Sequence, residues 1–230
     1  MLKCPVCGTE NGDLDTVCRS CKGFIQAKVD TLDLFSTAWG LMDQPRRTFR
    51  RIAIAKTKNY VILLSAAIGI ALVYLYFWHW HLAVRFPSLI TLLGIGLLVG
   101  PPLGNLLIAL CSVVVRFILR IKGVRISFRT GFALLSYAGV PVVASLIAVM
   151  PVEIAVFGMF FFDNNPPPMV INPGAYLGLL ALDTLAGCWS IVLIVLGIRS
   201  AAGVSWVWSI IPALAVGALI ALLVTGLRPF

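Results

Sequence analysis

Cys4-Pro5-Val6-Cys7 and Cys18-Arg19-Ser20-Cys21 are two Cys-x-x-Cys pairs separated by ten residues. Two thiolates in a tight turn can hold one ion, and two such turns close a tetrahedral shell of four sulfurs. A closed shell leaves no position for water. The spacing therefore predicts one structural zinc ion, with Zn–S bonds of about 2.3 Å and no Lewis-acid chemistry. Iron in a rubredoxin-like site stays open on spacing alone. A redox dithiol is disfavoured, because there are two matched pairs and no thioredoxin-like βαβ pattern. Gly8 and Gly23 follow the pairs, where a knuckle needs free backbone angles. So short a head buries too little surface to fold alone, and the metal would supply most of its stability, on the order of 10 kcal/mol. Its charges are mixed, Lys3, Arg19, Lys22 and Lys28 against Glu10, Asp13 and Asp15, without clustered aromatics. That composition points to a protein partner and away from nucleic acid.

Other chemistry-bearing residues lie in strongly apolar surroundings. Cys111 and Cys188 each stand alone in an apolar run, where a free thiol acts as a small hydrophobe. Glu153 and Asp183 are acids inside such runs, and a carboxylate near a bilayer centre costs about 2.5 to 3.5 kcal/mol. They form a candidate intramembrane polar site, with His79, His81 and Arg85 as the nearby groups able to supply positive charge. The bland alternative is a pair of protonated or water-facing acids, with the histidines as interfacial anchors.

The elements that must position these residues are set by composition. The 230-residue chain is 60% hydrophobic and 12% charged, far from the balance of a soluble domain. Apolar runs at about Tyr60–Leu82, Pro87–Val115, Thr130–Phe162, Ala175–Ile198 and Ser205–Leu227 each match the roughly 30 Å hydrocarbon core. Pro141 and Pro151 are expected to kink or shorten the third run, and Gly100-Pro101-Pro102 to kink or locally unwind the second. Gly96, Gly100 and Gly104, and Ala213, Gly217 and Ala221, repeat every four residues, which suits close helix packing. The fold class is thus an all-α integral membrane bundle of five transmembrane helices with a small N-terminal zinc ribbon.

Basic residues orient the spans. With the N-terminus inside, sixteen of the 18 Lys and Arg fall on the inner side and only Arg85 and Arg228 on the outer, a strong positive-inside bias. The N-terminus is expected in the cytosol, where thiols stay reduced, and the C-terminus outside. The chain opens without the basic and then apolar run of a secretory signal.

Three regions follow: a zinc ribbon at 1–26, an amphipathic and polybasic juxtamembrane segment at 27–59, and the membrane domain at 60–230. In the middle region Leu32, Phe35 and Trp39, with Asp30 and Asp33 nearby, predict a short amphipathic helix ending before Gly40. Arg46, Arg47, Arg50 and Arg51 form a lipid-facing basic segment, each residue worth about 1 kcal/mol against anionic headgroups.

Pro45-Arg46-Arg47-Thr48-Phe49-Arg50-Arg51-Ile52 before the first span, Gly131 through Tyr137-Ala138-Gly139-Val140-Pro141 in the third, and Trp189, Leu196-Gly197-Ile198 and Gly203-Val204-Ser205 around the fourth linker carry a resemblance. From about Thr31 to Leu227 the chain resembles the Yip family, the Ypt- and Rab-interacting polytopic proteins. The resemblance implies a cytosolic N-terminus and, for eukaryotic members, a link to vesicle trafficking. A zinc ribbon stands in place of their longer N-terminal region, and Trp208 occupies a position where a basic residue is common. Both features resemble prokaryotic members, so a prokaryotic cell membrane is the expected location and a Rab-type partner is not carried over.

The resulting expectation is a membrane adaptor or organiser that recruits a cytosolic protein partner through its zinc ribbon. The alternative is a transporter, channel or lipid-handling protein that uses Asp183 and Glu153. No G-x-S-x-G, H-E-x-x-H or paired catalytic aspartates are present, so an enzyme is not expected. The sequence leaves the oligomeric state open.

Overall fold

A computed structural model of the chain describes residues 2–12, 15–25 and 31–228. Asp13 and Lys28 of the head, Asp30 before the first helix and the C-terminal Phe230 lie outside the described residues. The head holds strands β1 (Leu2–Lys3) and β2 (Glu10–Asn11), paired antiparallel with Leu2 opposite Asn11. They flank the first knuckle. A bridge between Val17 and Phe24 frames the second.

Helix α1 (Leu34–Asp43) starts at Asp33, whose carboxylate accepts the Ser36 N–H at 2.8 Å and satisfies one of the orphan amides of the first turn. It runs through Gly40 instead of stopping before it. Gly40 is a contact point and not a terminator: a Cβ there would stand 2.6 Å from the Thr48 hydroxyl of helix α2 (Pro45–Ile54). The helix is two-faced, as an amphipathic helix should be. Leu32 and Leu41 are buried, while Phe35 and Trp39 are 83% and 76% exposed.

Helix α2 starts with Pro45 in its first turn, a position where the missing N–H costs nothing. Its Thr48, Phe49 and Ile52 are buried, and Arg46, Arg47, Arg50 and Arg51 are exposed on the opposite side. Phe49 lies over Gly197, where a Cβ would come within 3.0 Å of the ring. Lys58 is buried and donates to the carbonyls of Ile52 at 2.6 Å, Ala53 at 3.2 Å and Ala55 at 3.4 Å. These are carbonyls that the end of α2 would otherwise leave unpaired. The juxtamembrane segment is therefore a helical hairpin docked on the bundle, built in by its apolar face.

Five helical segments are long and apolar enough to cross a membrane. They are α3 (Val61–His79), α4 (Leu89–Ile121), a broken third span, α9 (Pro173–Ala202), and α10 (Trp206–Ala221) continued by a π-helical turn at Leu222–Gly226. The third span consists of α5 (Phe128–Ala138), α6 (Val140–Ala148), α7 (Met150–Phe157) and a 3-10 turn at Gly158–Phe162. The short α8 (Pro168–Ile171) precedes α9. Pro141 and Pro151 each sit in the first turn of a new segment, as their missing N–H groups require. By contrast α4 stays continuous through Pro101 and Pro102, where Asn105 Nδ2 donates to the Pro101 carbonyl at 2.8 Å.

The glycine repeat of α4 is a packed seam against α3. A Cβ at Gly100 would stand 2.5 Å from Ile70 Cα, and one at Gly104 would stand 2.6 Å from Gly69 Cα. Backbones this close admit no side chain. Ser65 Oγ reaches Asn105 Oδ1 at 2.6 Å across the same seam. The second repeat differs. Ala213 is buried, but a Cβ at Gly217 would meet nothing and Ala221 is exposed. That stripe is not a seam within this chain.

At the end of the bundle away from α1 and α2, Trp80 Nε1 donates to Val224 O at 2.7 Å and Tyr76 Oη to Leu227 O at 3.0 Å. These bonds take carbonyls at the π-helical turn and tie the fifth span to the far end of the first.

Candidate metal centre and intramembrane polar cluster

The two knuckles are built alike. Gly8 N–H donates to Cys4 O at 2.9 Å and Lys22 N–H donates to Cys18 O at 3.0 Å. The residue after each pair has positive φ, +72° at Gly8 and 56° at Lys22. In the second knuckle the left-handed position thus falls on Lys22, and Gly23 serves packing instead, since its Cβ would stand 3.3 Å from Val6 Cγ2.

These turns bring the four Sγ atoms within 4.8 Å of one another. Cys4 and Cys21 are 3.6 Å apart and Cys7 and Cys18 3.5 Å. A tetrahedron with Zn–S bonds of about 2.3 Å has edges of about 3.8 Å, so the cluster fits one ion. A second layer supports it: Ser20 N–H points at Cys18 Sγ at 3.4 Å, and Asn11 Nδ2 at 3.6 Å. Asn11 also accepts the Arg19 N–H at 2.9 Å, locking the second knuckle to β2. Without a cation the thiols compete. Thr9, through its hydroxyl and then its amide, holds Cys7 down to about 6. The Gly23 amide favours the Cys21 thiolate, yet the neighbouring thiols and burial push it up to about 12. A dication would relieve that conflict by taking all four as thiolates.

Glu153 on α7 is 4% exposed and lies close enough to Asp183 on α9 for their charges to interact. Ser145 Oγ on α6 donates to Asp183 Oδ1. Asp183 stands about 15 Å from the far end of α9 at 1.5 Å per residue, half a hydrocarbon thickness. The three side chains join spans three and four where α9 is otherwise open, since its buried residues, Ser190, Leu193, Gly197 and Ile198, all lie toward its other end. His79 packs edge-on against Trp80 at 5.2 Å and takes no part in the cluster. Ser145 was not singled out in the sequence. Its signal is the eight-residue spacing to Glu153, two turns on one face.

The exposed arginines of α2 sit at the end of the bundle where other cations gather on tryptophans. Arg199 Cζ lies 4.0 Å from the Trp206 ring centroid, Arg46 Cζ 5.5 Å from the same centroid, and Lys122 Nζ 5.4 Å from that of Trp208. Lys122, just past the end of α4, thus brings a cation to Trp208.

The Yip1 domain family matches residues 39–227. No curated protein and no solved structure matches the chain.

Proposed function

The chain belongs to the Yip1 domain family, and from that premise we propose that it is a membrane adaptor whose metal-bound head recruits a cytosolic protein. The observation that carries this reading is the four-thiolate cluster in front of the matched domain. With all four positions filled by sulfur, the ion organises the head and leaves no open position for chemistry, so the head's work is recognition and not catalysis. Val6 and Phe24, both 73% exposed, flank Gly23 beside that cluster and offer an apolar contact to a partner. Zinc is the proposed ion, one per chain. The bundle end with α1 and α2 faces the cytosol on the positive-inside argument, with the C-terminus on the other side, in a prokaryotic cell membrane. The exposed arginines of α2 add attraction to anionic lipid. In-cell crosslinking with mass spectrometry tests the reading. Crosslinks from the head to a cytosolic protein are expected, and their persistence in Cys4→Ser/Cys7→Ser would overturn it.

A second reading is supported by the Ser145, Asp183 and Glu153 cluster, because two neighbouring acids within membrane spans are costly unless used or locked. In that case the protein moves protons or ions, and Asp183→Asn would abolish coupled flux in liposomes while keeping the fold. Unchanged flux in that variant removes the transport reading.

A further inference from the structure

Arg46, Arg199 and Trp206 come from α2, α9 and α10 and meet at the bundle end that carries the α1–α2 hairpin. Both guanidiniums lie within cation–π range of one indole, so two like charges share one ring. Among the described residues no carboxylate pairs with either; the nearby Asp43 accepts from Gln44 Nε2 at 3.3 Å. Arg199 Nη1 is shut off from solvent and has no hydrogen-bond partner. The Trp206 ring lies against the same guanidinium, so its enclosed side is held by the indole face. Beside Arg46, the α1–α2 junction opens a hollow of about 360 Å³ lined by Gln44, Pro45, Arg46 and Arg47. It also adjoins a first turn of α2 that has neither a side-chain cap nor an acid.

We propose that Arg46 and Arg199, aligned by Trp206, bind one phosphate-bearing group, either a phospholipid headgroup or a free phosphate. Guanidinium is suited to this task because its planar fork gives two parallel N–H donors to phosphate oxygens, which a lysine cannot reproduce. The position suits it as well: basic pockets between transmembrane helices on the cytoplasmic side take anionic headgroups, and tryptophan favours headgroup depth. The site is independent of any protein partner of the head. It also differs from general attraction to a basic surface, since only two of the many cations at this end converge on one ring.

The test uses the full chain in neutral detergent micelles doped with a small share of phosphatidylglycerol, with retained lipid read by native mass spectrometry. The parent chain is expected to hold one phosphatidylglycerol. Arg46→Gln/Arg199→Gln should reduce its occupancy at least tenfold, while Arg120→Gln/Arg125→Gln, which removes as much charge from the same end, should keep it. Arg46 is exposed, so Arg46→Gln alone is safe for folding and should lower occupancy about fivefold. A parallel titration of the chain in phosphatidylcholine nanodiscs with inorganic phosphate separates the sources. Retention of the lipid without phosphate binding identifies a headgroup, and phosphate binding lost in the double variant identifies a soluble ligand. The proposal is overturned if neither probe binds, if Arg46→Gln retains the lipid as the parent does, or if Arg120→Gln/Arg125→Gln loses it equally.

Discussion

The head and the bundle are held together by opposite means. In the head, two strands of two residues and two turns surround four sulfur atoms, and the side chains that a core would bury, Val6 and Phe24, are exposed. In the bundle, spans one and two pack through glycines with backbones in contact, and Phe49, Tyr137 and Leu193 are fully buried around the docked hairpin. On the proposed reading, one region depends on a bound ion and the other on packing within lipid. The difference teaches that the two should fail separately.

Removing the ion has the largest expected effect. Cys4→Ser/Cys7→Ser, or a strong chelator, should cost the head on the order of 10 kcal/mol and unfold it. Hydrogen exchange should show amides from Cys4 to Phe24 unprotected while those of α3 and α4 stay protected. Joint loss of both regions breaks the comparison. Gly104→Leu makes the converse cut. The new side chain would meet Gly69 Cα and the Ser65 carbonyl, neither of which can yield, so a loss of about 3 kcal/mol or more is expected in reversible unfolding of the bundle. Metal content should be untouched.

Acid sharpens the same division. Thiolates bound to metal are lost to protons as pH falls, so head stability is present at higher pH and declines on acidification. Because Cys7 already sits low, at about 6, and Cys21 high, at about 12, loading near neutral pH must release the Cys21 proton. Metal affinity should fall about tenfold per pH unit for each proton released, or about 1.4 kcal/mol. A competition titration between pH 8 and pH 6 with unchanged affinity would contradict thiolate ligation. Asp183→Leu has the smallest effect. It removes the bond from Ser145 at a single junction, for an expected loss of about 0.6 kcal/mol and at most about 2 kcal/mol.

The span count and the knuckles were legible because both depend on local pattern: apolar length for one, cysteine spacing for the other. The third span's breaks were legible at Pro141 and Pro151. Pro101 and Pro102 lie inside one helix, so the second run stays a single span as expected, packed on α3 through Gly100 and Gly104. The continuation of α1 through Gly40 was hidden. Gly40 reads locally as a stop, but here it gives α2 room at Thr48, a contact between helices with no local signature. Ser145 and the sharing of Trp206 by two arginines were hidden likewise, since their partners lie on different helices.

The separation of head from bundle rests on the ion, and elemental analysis of purified, fully reduced chain tests it most directly. One zinc per chain is predicted for the parent and none for Cys4→Ser/Cys7→Ser, with the variant's membrane helices intact. Iron in the parent, or no metal at all, would contradict the account.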